Sequence, residues 1–145
     1  MYNHSMRARN ISLQDVLKEH GQSVTRPRLA VFEALLGQEP MTMHELVGEV
    51  STVDRASVYR TIELFERLGI VQRLHMGWKY KLELTDTFAE HHHHLTCMQC
   101  DRTIPMNEIA LEHIIDRLAA VHHFRAVSHQ IEIQGYCSSC SKKIA

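Results

Sequence analysis

The sequence predicts an α+β chain of two domains, an N-terminal winged helix-turn-helix and a small C-terminal α/β domain, and three observations predict it. Apolar residues recur with helical period four times before Gly69, then with period two from Ile70 to Leu84. All four cysteines fall later, as the pairs Cys97/Cys100 and Cys137/Cys140. Eight of the twelve histidines fall there too, four of them in the run His91 to His94. Composition changes after Leu84. Residues 1–84 hold 11 Lys and Arg, 10 Asp and Glu, 4 His and no Cys, whereas residues 85–145 hold 5, 7, 8 and 4. Domains of residues 1–84 and 85–145, with separate tasks, are expected.

The elements follow in order. Leu13, Val16 and Leu17 before His20-Gly21 read as a short amphipathic helix stopped by glycine. Thr25 with Pro27 opens a second, with Leu29, Phe32 and Leu36 as its apolar stripe before Gly37. Thr42 and Glu45 form a capping box for a third, continued by Leu46, Val47 and Val50. A fourth runs from about Asp54 to Leu68, with Val58, Ile62 and Phe65 inward and Gly69 as its stop. The segment Ile70 to His75, a Met76-Gly77 turn, and Trp78, Tyr80, Leu82 and Leu84 alternating with Lys79, Lys81 and Glu83 read as a hairpin with one solvated face. Two helices joined by a short Ser/Thr turn and followed by such a hairpin make a winged helix-turn-helix, which reads DNA with its second helix.

The net charge of −1 over 145 residues is too close to neutral to argue for nucleic-acid binding, so any affinity must come from a local patch. The wet face of the fourth helix offers one in Arg55, Ser57, Tyr59 and Arg60, flanked by Arg26, Arg28 and the hairpin's Lys79 and Lys81. Arginine reaches guanine edges or phosphate, and hydroxyls hold phosphate. The competing reading is the ordinary solvated side of an amphipathic helix. No apolar run approaches the ~20 residues that a bilayer requires, and the polar stretch Met1 to Ile11 has no apolar signal region, so a cytoplasmic protein without a membrane partner is expected.

In a strand, His91 and His93 point one way and His92 and His94 the other, so the run can feed two metal sites. A helix capped by Asn107 and running to about His123 carries Leu111, Ile114, Ile115, Leu118 and His122 as its stripe, with Glu112 and Asp116 on the flank. The strand expected from Arg125 to Gln134 places His129 in a row with Val127, Ile131 and Ile133, where it serves as a core histidine or as a ligand beside His91 and His93. His122 is read as a core residue, and His4, His20, His113 and His123 as exposed ones. The two cysteine pairs match a closed, structural four-thiolate zinc site. The 36 residues between them exceed the usual zinc-ribbon spacing, because a helix and strands intervene. Such a centre is formally −2, so backbone N–H groups, helped by Lys142 and Lys143, are expected to compensate it.

Taken together, Thr25-Arg26-Pro27-Arg28, Ala56-Ser57-Val58-Tyr59-Arg60-Thr61, the run His91 to Cys100 and Gly135-Tyr136-Cys137-Ser138-Ser139-Cys140 resemble the Fur (ferric uptake regulator) family of metal-responsive repressors, over a span from about Leu13 to Cys140. The resemblance implies a homodimer whose winged helices bind a palindromic double-stranded operator at metal-homeostasis genes and whose C-terminal domain dimerises. It places structural zinc on Cys97, Cys100, Cys137 and Cys140, and a second C-terminal site on His91, His93, Glu112 and His129. His93 replaces the Asp of many members. The sensor site falls on Glu83, His92 and His94, with Asp86 a rival for the carboxylate. Pro40 and Pro105 stand where iron and peroxide sensors carry further ligands. The reduced set tilts the expected effector toward Zn2+ over Fe2+, with Mn2+ or peroxide sensing as alternatives within the family. From other classes, a metal buffer would leave the recognition helix unexplained. A metallohydrolase with Glu112 as general base would lack a visible nucleophile or oxyanion constellation. No enzyme activity is expected.

Overall fold

The computed structural model describes residues 11–144. His4, Arg7, Arg9 and most of the polar N-terminal stretch lie outside that range. The chain divides into two compact units, one ending at Glu90 and one beginning at His91. The break follows Glu90 rather than Leu84 because the segment after the hairpin stays with the first unit. Thr85 Oγ1 donates to the Gly69 carbonyl at 2.7 Å, and Phe88 meets Phe32 edge-on with ring centroids 5.0 Å apart.

The first unit has four helices, α1 (Leu13–Glu19), α2 (Arg26–Leu35), α3 (Met43–Glu49) and α4 (Arg55–Arg67), then strands β1 (Val71–Met76) and β2 (Lys79–Leu84). Each helix start is capped by a side chain. Ser12 with Asp15 and Thr42 with Glu45 form reciprocal capping boxes, Thr25 accepts from the Arg28 amide, and Asp54 accepts from the Ser57 amide. These bonds hold the carboxyls of Asp15, Glu45 and Asp54 below their ordinary values. At the end of α4, Gly69 takes φ +68, its N–H meets the Glu66 carbonyl, and the Ile70 N–H meets that of Phe65. This closes a Schellman motif and turns the chain into the hairpin. Val58, Ile62 and Phe65 of α4 join Leu17, Leu46, Ile70 and Leu82 in one core.

Three expectations for this unit need correction. In α2 the buried residues are Val31 and Leu35, whereas Leu29 and Leu36 are exposed. Residues 29–36 are apolar except at Glu33, so periodicity alone could not choose a face, and Leu36 has already left the helix. The hairpin loop is Gly77-Trp78, with Met76 paired to Lys79, so Trp78 caps the turn instead of joining the apolar face. Glu83 is buried, at 6% exposure, not solvated. Met41 forms an isolated bridge to Leu82 through two backbone hydrogen bonds, beside the two-stranded hairpin.

The second unit contains β3 (His93–Cys97), β4 (Thr103–Met106), α5 (Ile109–Val121), β5 (Glu132–Gly135) and α6 (Ser138–Ile144). β3 lies at the centre of the sheet, antiparallel to β4 and parallel to β5. Here too the sequence misled in places. Glu108, not Asn107, occupies the N-cap of α5, and it makes no side-chain capping bond. Of the proposed α5 stripe, Ile114, Leu118 and His122 are exposed; Glu112 is instead the buried residue. The expected strand from Arg125 shrinks to Glu132–Gly135, because pairing with β3 begins only at the Ile131 carbonyl, which accepts from the His94 N–H. β4 was not given a position, and α6 was not anticipated. Pro105 masks the strand character of one, and the cysteine knuckle masks the helical character of the other.

Candidate metal centres and nucleic-acid interface

The end of β3 and the junction of β5 with α6 bring the four cysteines together. Cys97 ends β3, Cys100 sits in the turn after it, Cys137 follows β5, and Cys140 lies in α6. All four sulfurs lie within 4.8 Å of one another, and Cys100 Sγ and Cys137 Sγ are 3.9 Å apart. A disulfide needs about 2.05 Å. A tetrahedral zinc with ~2.3 Å bonds places sulfurs about 3.8 Å apart, so the spacing fits a shared cation and not cystine. The Cys137 N–H donates to Cys97 Sγ at 3.3 Å, the backbone compensation that four thiolates require. Hydrogen bonds from the backbone of Cys137 and then Cys100 hold the Cys97 thiol down at about 6. Its contact with Cys137, followed by burial, pushes Cys140 up to about 12.

On the other side of the His run, His91 and His93 come to one side as expected, although β3 begins only at His93. His93 Nε2 lies 2.7 Å from Glu112 Oε1, His129 Nε2 lies 3.1 Å from Glu112 Oε2, and His91 Nε2 lies 3.0 Å from His129 Nε2. His91 Nε2 is 3.6 Å from Glu112 Oε1. Three imidazoles thus converge on one buried carboxylate, with all four ligand atoms within 4.8 Å. Ligand bonds of roughly 2.0–2.2 Å give a tetrahedral edge of about 3.4 Å, in the middle of these distances. The donor set suits Zn2+, Fe2+ or Mn2+ alike.

The imidazoles of His92 and His94 meet edge to face with centroids 4.6 Å apart. His94 is buried, and the residue directly across from it in the β3–β4 ladder is Pro105. Glu83 belongs to the first unit, where Gln72 Nε2 donates to its Oε1 at 2.7 Å. The Met41 to Leu82 bridge is antiparallel, so Pro40 lies level with Glu83. Asp86, His44 and His75 are exposed.

On α4, Arg55, Tyr59 and Arg60 are exposed and Ser57 is half-buried. Arg55 Nη2 donates to Tyr59 Oη at 3.4 Å, and Arg60 Nη2 donates to Ser57 Oγ at 3.0 Å. Arg26 is exposed at the first turn of α2. Arg28 is engaged within the unit, donating to the Ser23 carbonyl and to Gln22 Oε1. Sequence reasoning missed one arrangement, the contact between α4 and the hairpin. Arg73 of β1 pairs with Glu66 of α4 and lies over the Tyr80 ring, 4.3 Å from its centroid. A tertiary pairing between a helix end and a strand leaves no periodic signal.

The model of the ferric uptake regulator family matches residues 19–134. The chain belongs to this family. The ferric uptake regulation protein of Escherichia coli strain K12 is 34% identical over 131 residues, spanning 84% of this chain and 86% of the relative. The crystal structure of the Vibrio cholerae ferric uptake regulator superposes with a TM-score of 0.72 at 28% identity, covering 87% of this chain and all of the other. A zinc-bound manganese uptake regulator superposes with a TM-score of 0.63 at 27% identity, covering 86% and 97%. Members of this family are metal-responsive transcription regulators and not enzymes; they bind DNA and function as dimers. The helical and hairpin plan of the first unit and the mixed second unit match that fold. Among the described residues, no helix is long and apolar enough to cross a membrane.

Proposed function

We propose that this chain is a metal-dependent repressor of metal-homeostasis genes that binds a palindromic operator as a homodimer, with Zn2+ favoured over Fe2+ or Mn2+ as effector. The supporting observation is the pair of prolines. Pro105 stands across from His94 and Pro40 lies level with Glu83, so the two positions from which further donors would come offer no side-chain ligand. Glu83, His92 and His94 then form a three-donor sensor set, which suits tetrahedral zinc better than five- or six-coordinate iron. In this reading the four cysteines hold structural zinc. His91, His93, Glu112 and His129 form a second site that ties α5 to β3.

The exposed apolar residues Ile109, Ile114, Leu118 and Val121 of α5 suit a surface covered by a second copy. Arg55, Ser57, Tyr59 and Arg60 present the recognition surface, with Arg26 beside them and Arg28 bracing the start of α2. Metal dependence is linkage. An ion that binds the DNA-competent dimer more tightly raises DNA affinity by the factor by which DNA raises ion affinity, typically ~1–3 kcal/mol. The test titrates operator binding by the zinc-loaded dimer with buffered free Zn2+, and anaerobically with Fe2+ and Mn2+. Saturation at the lowest free concentration with Zn2+ is expected; a response confined to Fe2+ or Mn2+ would overturn the zinc assignment.

A further inference from the structure

Trp78 is the only tryptophan of the chain, and at 89% exposure it is the most exposed large apolar side chain among the described residues. An indole left in water forgoes burial that the core of this unit would have rewarded. The turn that holds it is tightly built. Gly77 takes φ +66 at the first central position of a two-residue hairpin loop, as a type II′ turn requires, so Trp78 is carried outward at the apex. Along its own sequence the outer part of the hairpin carries charge of one sign, although Arg73 pairs with Glu66 of α4 and Lys81 lies near enough to Glu45 of α3 to add to the Thr42 hydrogen bonds in holding that carboxyl down. From Arg73 to Leu82 there are three cations, Arg73, Lys79 and Lys81, and no acidic residue. Lys79 Nζ lies 5.1 Å from the Trp78 ring centroid.

The hairpin is also anchored to the helix that reads bases. The Arg73 pairing with Glu66 and its stacking on Tyr80 fix β1 and β2 against the end of α4. The tip extends about 13 Å beyond Arg73, at ~3.3 Å per residue. A basic, aromatic-tipped ribbon held at a set position beside a recognition helix has the chemistry of a nucleic-acid contact.

We propose that the wing tip is a second, sequence-independent DNA contact, with the Trp78 indole seated against the deoxyribose wall of the minor groove and Lys79 and Lys81 on the adjoining phosphates. This rests on the DNA-binding reading given above and adds a named contact to it. It differs from the α4 surface in what it recognises. Loss of Arg60 should erode the preference for one sequence, whereas loss of Trp78 should weaken every duplex by the same factor.

The lone tryptophan reports on its own surroundings, so the test is spectroscopic. The metal-loaded full-length dimer is mixed with a duplex selected by it from a random-sequence pool and, at low salt, with sheared non-cognate DNA. Trp78 emission should shift to the blue and resist acrylamide quenching with both. Trp78→Ala should weaken both complexes roughly tenfold, with zinc content and melting temperature unchanged, and Lys79→Ala should lower the salt slope by about one. Unchanged emission and quenching in samples whose gel shifts show full binding would overturn the wing contact and leave the repressor reading intact. Failure to bind any duplex under every metal condition would overturn both.

Discussion

Among the exposed side chains of α4, Arg60 and Arg55 are already oriented by their neighbours, Arg60 by Ser57 and Arg55 by Tyr59. Such pre-orientation lowers the ordering cost on DNA binding. Arg60→Ala should therefore weaken operator binding by roughly 5–150-fold, on the basis of ~1–3 kcal/mol for a base contact, while metal content stays constant. Unchanged affinity in a fluorescence-anisotropy titration would remove Arg60 from the interface. Glu112 presents the opposite case, a buried carboxylate with three imidazoles around it. Glu112→Gln keeps the shape and removes the charge, so one metal equivalent per protomer should be lost while the cysteine-bound zinc remains, as elemental analysis would show. Full metal content in that variant would contradict the site. The His91, His93 and His129 cluster was legible because strand alternation sorts adjacent histidines onto opposite faces. Trp78 and Glu83 were misplaced by the same rule. Alternation assigns a face but does not say where the turn begins or which face of a hairpin end is covered.

At the scale of elements, the starts of α2, α3 and α4 were the most readable feature, since each depends on a cap and the residue three positions on, whereas α5, with no side-chain cap, was misread by one residue. Thr42→Ala should lower the stability of the first unit by about 1 kcal/mol in a urea melt, with the core unchanged. No loss would mean that the Thr42 and Glu45 box contributes nothing to α3. The buried faces of α2 and α5 were less readable. In α2 every residue from Leu29 onward except Glu33 is apolar, and in α5 the outward face suits a second copy, which a single chain cannot display. The cysteine knuckles join β3 to the β5 and α6 junction, which otherwise carries few buried apolar residues. Cys97→Ser should release zinc and lower the melting temperature of the dimer; a variant that keeps both its zinc and its melting temperature would refute the structural role.

For the whole molecule, two units carry different chemistry. The first carries α4, the hairpin and Glu83, and the second carries the four-cysteine cluster, the cluster of His91, His93, Glu112 and His129, and the apolar α5 surface. The cysteines and histidines fall mostly beyond the break, and the segment through Phe88 is held to the first unit by packing on Phe32, which leaves no composition cue. If Glu83, His92 and His94 share one ion, occupancy couples the wing to the dimerisation unit and sets the spacing of two recognition helices on a palindrome. The most direct measurement is operator affinity of the zinc-loaded wild-type dimer with and without effector metal, alongside His92→Ala. Metal should tighten the wild type by roughly 5–150-fold, as ~1–3 kcal/mol of coupling requires, and should leave His92→Ala, still folded and zinc-loaded, at the weak level. Equal affinity of the wild type in both conditions, or a full metal response in the variant, would contradict the account.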